Sequence, residues 1–204
     1  MLQTVHGGAA ARPFTTHINA YDQQLSLRIA PELYLKRLCV AGMGRIYELN
    51  RNFRNEGADS THNPEFTSLE VYQAYADYNT MKGLAQTLIC AMATAIHGAQ
   101  VAERPSPSGE KQTIDLNRPW PTMTVHDAVS AACRTAITTT TPAAELAEIC
   151  AAHRVPTAAD MSAGHLVMAL YETLVEKHTD FPTFYIDFPV EVSPLARRHR
   201  DDPR

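Results

Sequence analysis

The sequence holds no apolar run near the roughly 18 residues that a membrane-spanning helix needs. Its N-terminus, MLQTVHGGAAARPF, lacks a basic start followed by an apolar stretch. Neither a span nor a secretory signal is legible, so a cytoplasmic location is the expectation. Cysteine is sparse as well: Cys39, Cys90, Cys133 and Cys150 are scattered without a CxxC or other zinc-like spacing, and three of them lie in helical-looking runs. They read as buried thiols in a reducing compartment, with no metal site in the chain. Strong charge of either sign is also missing. A net charge of -4 gives no bulk attraction to nucleic acid or to an anionic membrane, so any RNA contact needs a local patch. What is present is 45% apolar content in 204 residues, enough to bury the core of one large domain or of one domain with an insertion.

Along the chain, residues 1–20 read as a glycine-containing loop and a short extended segment, with Pro13 excluding a helix. In IAPELYLKRLCVAGMG, Pro31 is a first-turn residue, Leu35, Leu38 and Cys39 share a face, and Gly42 can close the helix. Beyond Asp77, Met81, Leu84, Ala85, Leu88, Met92 and Ile96 recur at helical steps, a stripe expected to be core, with Gly98 as a stop. The stretch from Val101 to Asn117, with Pro105, Pro107 and Gly109, is expected to be an exposed excursion. Three short helices are expected next: TVHDAVSAACR capped by Thr124, PAAELAEICAAH opening at Pro142, and AGHLVMALYETLVEKH. A strand over FPTFYIDFPVEVS precedes the charged tail.

The informative region lies between the first two helices. RIYELNRNFRNE alternates, sending Tyr47, Leu49 and Phe53 one way and Asn50, Asn52, Arg54 and Glu56 the other. GADSTHNP is a loop by composition. EFTSLEVYQAY then alternates again, with Phe66, Ser68, Glu70 and Tyr72 on one side. Two such strands around a loop suggest an antiparallel hairpin. If their polar faces coincide, one surface carries Arg54, Glu56, Phe66, Glu70 and Tyr72. Alternation by itself favours the plainer reading, a solvent-exposed sheet face crossed by ordinary ion pairs.

FRNEGADSTHNPEF resembles the second signature motif of class II aminoacyl-tRNA synthetases, in the form found in bacterial lysyl-tRNA synthetases. The resemblance extends through HGGAAARPFTTHINAYD, LRIAPELYLKRLCVAGMGRIYELNRNFRNEG, FTSLEVYQAYADY and FPVEVSPLARRHR. It implies an α+β core, mainly antiparallel sheet with flanking helices, in which residues 1–204 are a partial catalytic domain and about 100–180 a helical insertion. It also implies roles. Arg54 would bridge the amino-acid carboxylate and the α-phosphate of ATP, Glu56 would contact the adenine amino group, and Phe66 would stack on adenine with His62 and Asn63 near the phosphates. Gly8 and Glu32 would hold the substrate α-ammonium, and Glu70 and Tyr72 the lysine ε-ammonium. The implied activity is ATP-dependent activation of lysine and its transfer to tRNA(Lys) by a homodimer.

Several features depart from the family pattern. Thr61 stands where many bacterial relatives carry an arginine before the loop histidine. The sequence begins after the first motif and ends before the third, before the carboxylates expected to hold Mg²⁺, and it has no anticodon-binding barrel. The isolated chain is therefore expected to be incomplete as a ligase. Two alternatives stay open: a lysyl-tRNA synthetase region of an actinobacterial two-function enzyme that makes lysyl-phosphatidylglycerol, with a membrane as further partner, and a noncatalytic synthetase-like binding protein.

Overall fold

The alternation in RIYELNRNF and EFTSLEVYQ resolves into two paired strands in the computed structural model, which describes every residue except Ser60, Pro107, Ser108, Leu195 and Arg204. Pro107 of the expected excursion thus lies outside the described residues. The chain divides into two compact units, Met1–Met81 and Lys82–Arg204.

In the first unit, β1 (Leu2–Gln3), β2 (Thr15–Ile18) and β3 (Gln23–Leu27) form an antiparallel sheet in the order β1-β3-β2. Helix α1 (Glu32–Val40) starts after Pro31, its N-cap, as a proline with preset φ favours. Gly42 ends it at φ +100, a conformation costly for other residues, and donates its N–H to the Cys39 carbonyl at 3.0 Å. Leu35 is buried and Cys39 half-buried, whereas Leu38 is exposed, so the expected apolar face is covered only in part.

Strands β4 (Arg45–Phe53) and β5 (Glu65–Gln73) pair antiparallel, with Ile46 opposite Tyr72, Glu48 opposite Glu70, Asn50 opposite Ser68 and Asn52 opposite Phe66. The polar faces do coincide. Glu56 is a correction: it lies in a bend beyond β4 and not on the strand face. The outward-facing reading of the polar side is also overturned. Asn52 is 1% and Asn50 6% exposed, while Tyr47 and Leu49 on the apolar side are 74% and 69% exposed. The ion pair of the hairpin, Arg51–Glu65 at 3.6 Å, sits on that apolar side. Alternation sorts residues between faces, but packing decides which face is sheltered. Here α1 packs against β4 and β5, and the Phe53 N–H donates to the Arg28 carbonyl at 2.9 Å, joining β4 to the end of β3.

Helix α2 (Tyr78–His97) leads into the second unit. Its stripe is a further correction, since Leu84, Met92 and Ile96 are exposed and Ala93 is the buried residue. Periodicity shows that a face is apolar, not that anything covers it. The described residues of 101–117 are mostly exposed, as expected, but carry regular structure: β6 (Val101–Pro105) and β7 (Lys111–Asp115) form an antiparallel hairpin. Next come β8 (Thr122–Thr124), α3 (Val125–Cys133), α4 (Ala143–Ala152) and α5 (Ala163–Leu170), the last continuing through a π turn at Tyr171–Val175 and a 3-10 turn at Glu176–His178. Thr124 caps α3 as its sequence position suggests, its Oγ accepting from the Asp127 N–H at 3.0 Å. The final strand is shorter than expected. Strand β9 (Phe184–Ile186) pairs parallel with β8 and stops where Asp187 turns to φ 57, with Pro189 just beyond. Val125, Val129, Leu146, Cys150, Val167 and Leu170 anchor the core of this unit. Cys133 and Cys150 are buried, Cys39 and Cys90 half-buried, and all four are free thiols. Among the described residues no helix is long and apolar enough to cross a membrane.

Two predictions follow from this packing. In urea unfolding of the 204-residue chain, Leu170→Ala, at a site with no exposure, lowers stability by about 2–5 kcal/mol. Leu49→Ala changes it by no more than about 0.5 kcal/mol; a larger loss would place Leu49 in a core. The second concerns His126, which is half-buried. Desolvation holds its imidazole below the ordinary value of 6.5, against the pull of Asp127, Asp202, Glu191 and Asp187. The unfolded chain then binds the proton more readily than the folded one. Stability from this group is present above about pH 6.5 and is lost as pH falls through the depressed folded value. The drop in unfolding free energy between pH 7.5 and 5.5 is accordingly smaller in His126→Gln, and equal drops would contradict the assignment.

Candidate active site

The sheltered face of β4 and β5 forms a polar floor in the first unit. Its middle is a directional relay. The Asn52 side-chain N–H donates to Ser68 Oγ at 2.7 Å, Ser68 donates to Asn50 Oδ1 at 3.0 Å, and Asn50 Nδ2 donates to the Glu48 carbonyl at 3.3 Å. Such a chain of side-chain bonds fixes the register of a polar face, although the buried Asn52 Oδ1 at its head has no hydrogen-bond partner among the described residues. These residues fall on the face that alternation identifies, although alternation attaches no role to them.

At one end of the relay, Arg54 follows β4 and is half-buried. Its Nε donates to the Ile29 carbonyl at 3.4 Å, and its guanidinium lies 5.1 Å from the centroid of the Phe66 ring. Arg54 and Phe66 are therefore brought together, a cation resting beside an aromatic face. At the other end the Tyr72 hydroxyl donates to Glu70 Oε2 at 2.9 Å. The Tyr72 phenol is pushed well above the ordinary tyrosine value, first by burial, then by its bond to Glu70 and by the charges of Glu70 and Glu32. Glu32 in α1 thus belongs to the same electrostatic neighbourhood. Its carboxylate is held by Lys36 one turn along the helix.

Gly8 completes this end. It adopts φ +91, and a Cβ there would lie 2.9 Å from the Glu32 Cβ and 3.3 Å from the Ala30 Cβ. Glycine is required both by the backbone angle and by the close approach.

The remaining expected residues sit apart in exposed loops. Glu56 Oε1 accepts from the Arg12 N–H at 3.4 Å. His62 is exposed, with Nδ1 2.9 Å from both oxygens of Asp59. Asn63 is exposed. Asp59 also accepts from the Thr61 and His62 backbone N–H groups at 2.7 and 2.9 Å; the Thr61 N–H foremost, then the His62 ring and the Thr61 hydroxyl, hold its carboxyl well below the usual carboxylate range. It organises the loop, and a D-x-T-H spacing in a polar loop is the signal that would have pointed to it. Arg28 and Glu48, an ion pair at 2.5 Å beside the floor, were likewise not anticipated. A charged residue on the polar face of a strand is a signal for Glu48; nothing local in the sequence pairs it with Arg28. Among the described residues no three His, Cys, Asp or Glu side chains converge to hold a metal.

Comparison with known proteins gives this geometry its class. All of residues 1–204 match the family of tRNA synthetases class II (D, K and N). The chain belongs to that family, and the α+β, mainly antiparallel fold expected from the sequence is the family's catalytic fold. Among curated relatives, it is 55% identical over 203 residues to the Lysylphosphatidylglycerol biosynthesis bifunctional protein LysX of Nocardia farcinica (strain IFM 10152). It is 54% identical to the protein of that name from Mycobacterium marinum (strain ATCC BAA-535 / M) and 53% to that from Mycobacterium avium (strain 104). Each match covers 100% of this chain but only 17–18% of the relative, so the chain spans under a fifth of their length.

One prediction tests the Gly8 contact. Gly8→Ala destabilises the chain by about 1–3 kcal/mol, as forced occupation of a left-handed angle does. Gly44→Ala, where nothing lies within 4 Å of the added carbon, is the control, with a change of at most about 1 kcal/mol. Equal effects in urea unfolding would show that Gly8 makes no close approach.

Proposed function

We propose that this chain is a lysine- and ATP-binding part of a class II synthetase catalytic domain, acting within a protein that activates lysine and passes it to tRNA(Lys). The observation that carries the reading is the polarity of the floor, with Arg54 beside Phe66 at one end and the Glu70–Tyr72 pair at the other. A rise of about 3.4 Å per residue separates Phe66 from Glu70 by roughly 13–14 Å along β5, room for an extended amino acid joined to a nucleotide.

In this reading the lysine carboxylate attacks the α-phosphorus of ATP in line. The new C–O–P bond forms as the bond to the pyrophosphate oxygen breaks, and pyrophosphate leaves with the electron pair. No general base is needed, so the protein's contribution is positioning and charge neutralisation. Arg54 spans carboxylate and phosphate with its planar fork of donors, a task for which a lysine is a poor substitute. Phe66 supplies the adenine platform, with Glu56 at the adenine amino group and His62 and Asn63 toward the phosphates. Gly8 and Glu32 take the α-ammonium. Glu70, oriented by the neutral Tyr72 hydroxyl, takes the ε-ammonium and rejects neutral side chains of similar length, because the carboxylate would be left desolvated and unpaired. Mg²⁺ would support ATP binding by neutralising its phosphates, and a homodimer is the assembly this reading implies.

The relatives' name favours a two-function protein over a free-standing ligase. We therefore place this chain in the lysyl-tRNA-forming part of a protein that makes lysylphosphatidylglycerol, which brings a membrane lipid in as the eventual lysine acceptor. A noncatalytic synthetase-like role is the remaining contrast, and lysine-dependent ATP–pyrophosphate exchange separates the two. In a full-length protein carrying these residues, Arg54→Ala lowers exchange by about 10² or more with the fold intact. Glu70→Gln costs roughly 2–4 kcal/mol in lysine recognition and leaves ATP affinity nearly unchanged. If Arg54→Ala exchanged at the unsubstituted rate, or if Glu70→Gln lost ATP affinity while holding its lysine KM, the assignment would be wrong.

A further inference from the structure

Two carboxylates of the floor stand opposite each other. Glu48 of β4 and Glu70 of β5 are register partners on the sheltered face, where such residues hold their Cβ atoms about 4.5–5.5 Å apart and like charges repel. The sheet resolves the conflict with Arg28. Its side chain is only 15% exposed; Nη1 donates to Glu48 Oε1 at 2.5 Å and Nε donates to the Arg51 carbonyl at 2.7 Å. The Arg28 carbonyl in turn accepts the Phe53 N–H at 2.9 Å. Arg28 is thus tied to β4 at three points, two through its side chain and one through its carbonyl. Glu70 has a different partner, the uncharged Tyr72 hydroxyl. The other carboxylate acting on Tyr72, Glu32, is held by Lys36.

We propose that Arg28 is a specificity-determining positioning residue: by holding Glu48 it leaves Glu70 as the carboxylate that faces the substrate's side-chain ammonium. This rests on the assignment of Glu70 to the ε-ammonium given above. The pair sets the charge of the pocket to match one cation. With Glu48 neutralised and Arg28 retained, an unpaired guanidinium confronts the ammonium and repels it. With Arg28 removed and Glu48 retained, the ammonium is shared between two carboxylates and the substrate carboxylate is drawn out of register with ATP, a displacement to which in-line attack is sensitive.

The test is ATP–pyrophosphate exchange in a full-length protein carrying these residues, with KM for the amino acid, KM for ATP and kcat measured for each variant. Glu48→Gln raises the lysine KM about tenfold or more with the ATP KM within about twofold, as expected for an unscreened charge at short range. Adding Arg28→Gln to it returns the lysine KM to within about threefold of the unsubstituted protein, the signature of coupled neighbours. Arg28→Gln alone lowers kcat about tenfold without raising the lysine KM, whereas Arg28→Lys, which keeps the charge, stays within about threefold on both. The Arg28→Gln and Arg28→Lys pair decides the matter even if Glu48→Gln does not fold. An unchanged lysine KM in Glu48→Gln, a double variant no better than Glu48→Gln, or an Arg28→Lys as impaired as Arg28→Gln would overturn the proposal. Because the comparison uses whichever amino acid supports exchange in the unsubstituted protein, a wrong choice of lysine shows in that protein's own preference, and a wrong role for Arg28 shows among the variants.

Discussion

The pairing of β4 with β5 is the constraint on which the rest of the site depends. Because strand side chains alternate with a period of two, a slip of β4 by one residue against β5 would carry Asn50 and Asn52 to the outer face and bring Tyr47 and Leu49 inward, opposite an unshifted Ser68, Glu70 and Tyr72. The relay from Asn52 through Ser68 to Asn50 opposes that slip, since two buried amides would lose their partners together. Register is thus held by polar satisfaction on one face more than by apolar burial on the other. A sheet whose sheltered side is polar is unusual for a stable core but suited to a ligand that is itself charged at several points.

The charges are arranged in order along that floor. The guanidinium of Arg54 lies at the end where phosphate and carboxylate are proposed to meet, and the carboxylates of Glu70 and Glu32 gather near Tyr72. Each carboxylate near Tyr72 has a defined partner: Tyr72 for Glu70, Lys36 for Glu32 and Arg28 for Glu48. Half-buried charges need such partners if they are not to shift the proton balance of the site or distort it. Gly8, pressed against Glu32, shows how little room the backbone leaves there.

Much of this was legible in the sequence, for definite physical reasons. The period of two in β4 and β5 placed Arg54, Phe66, Glu70 and Tyr72 beside one surface, and the Pro31, Thr124 and Pro142 starts located three helices. Family resemblance then attached ligands that periodicity cannot name. Solvent exposure was not legible, because it depends on what packs over a face. Leu49 and the α2 residues Leu84, Met92 and Ile96 have every local mark of a core and are exposed, while Asn52 has none and is buried. Long-range side-chain partners were equally hidden. Arg28 and Glu48 are 20 residues apart and meet only because β4 is bonded to the end of β3. The β6–β7 hairpin escaped notice because proline and glycine near its turn read as loop while its short arms carry no strong alternation.

In the proposed reading, one polar strand face recognises a lysine side chain and a nucleotide together. The most direct measurement is the calorimetric affinity of a full-length protein carrying this chain for a stable sulfamoyl analogue of lysyl-adenylate, set against the analogue bearing norleucine, which matches lysine in chain length but lacks the ammonium. A floor in which Glu70 and Tyr72 receive that ammonium binds the lysyl form tighter by about 10² or more, since the norleucyl form leaves the carboxylate unpaired. Equal affinities for the two analogues would contradict the account.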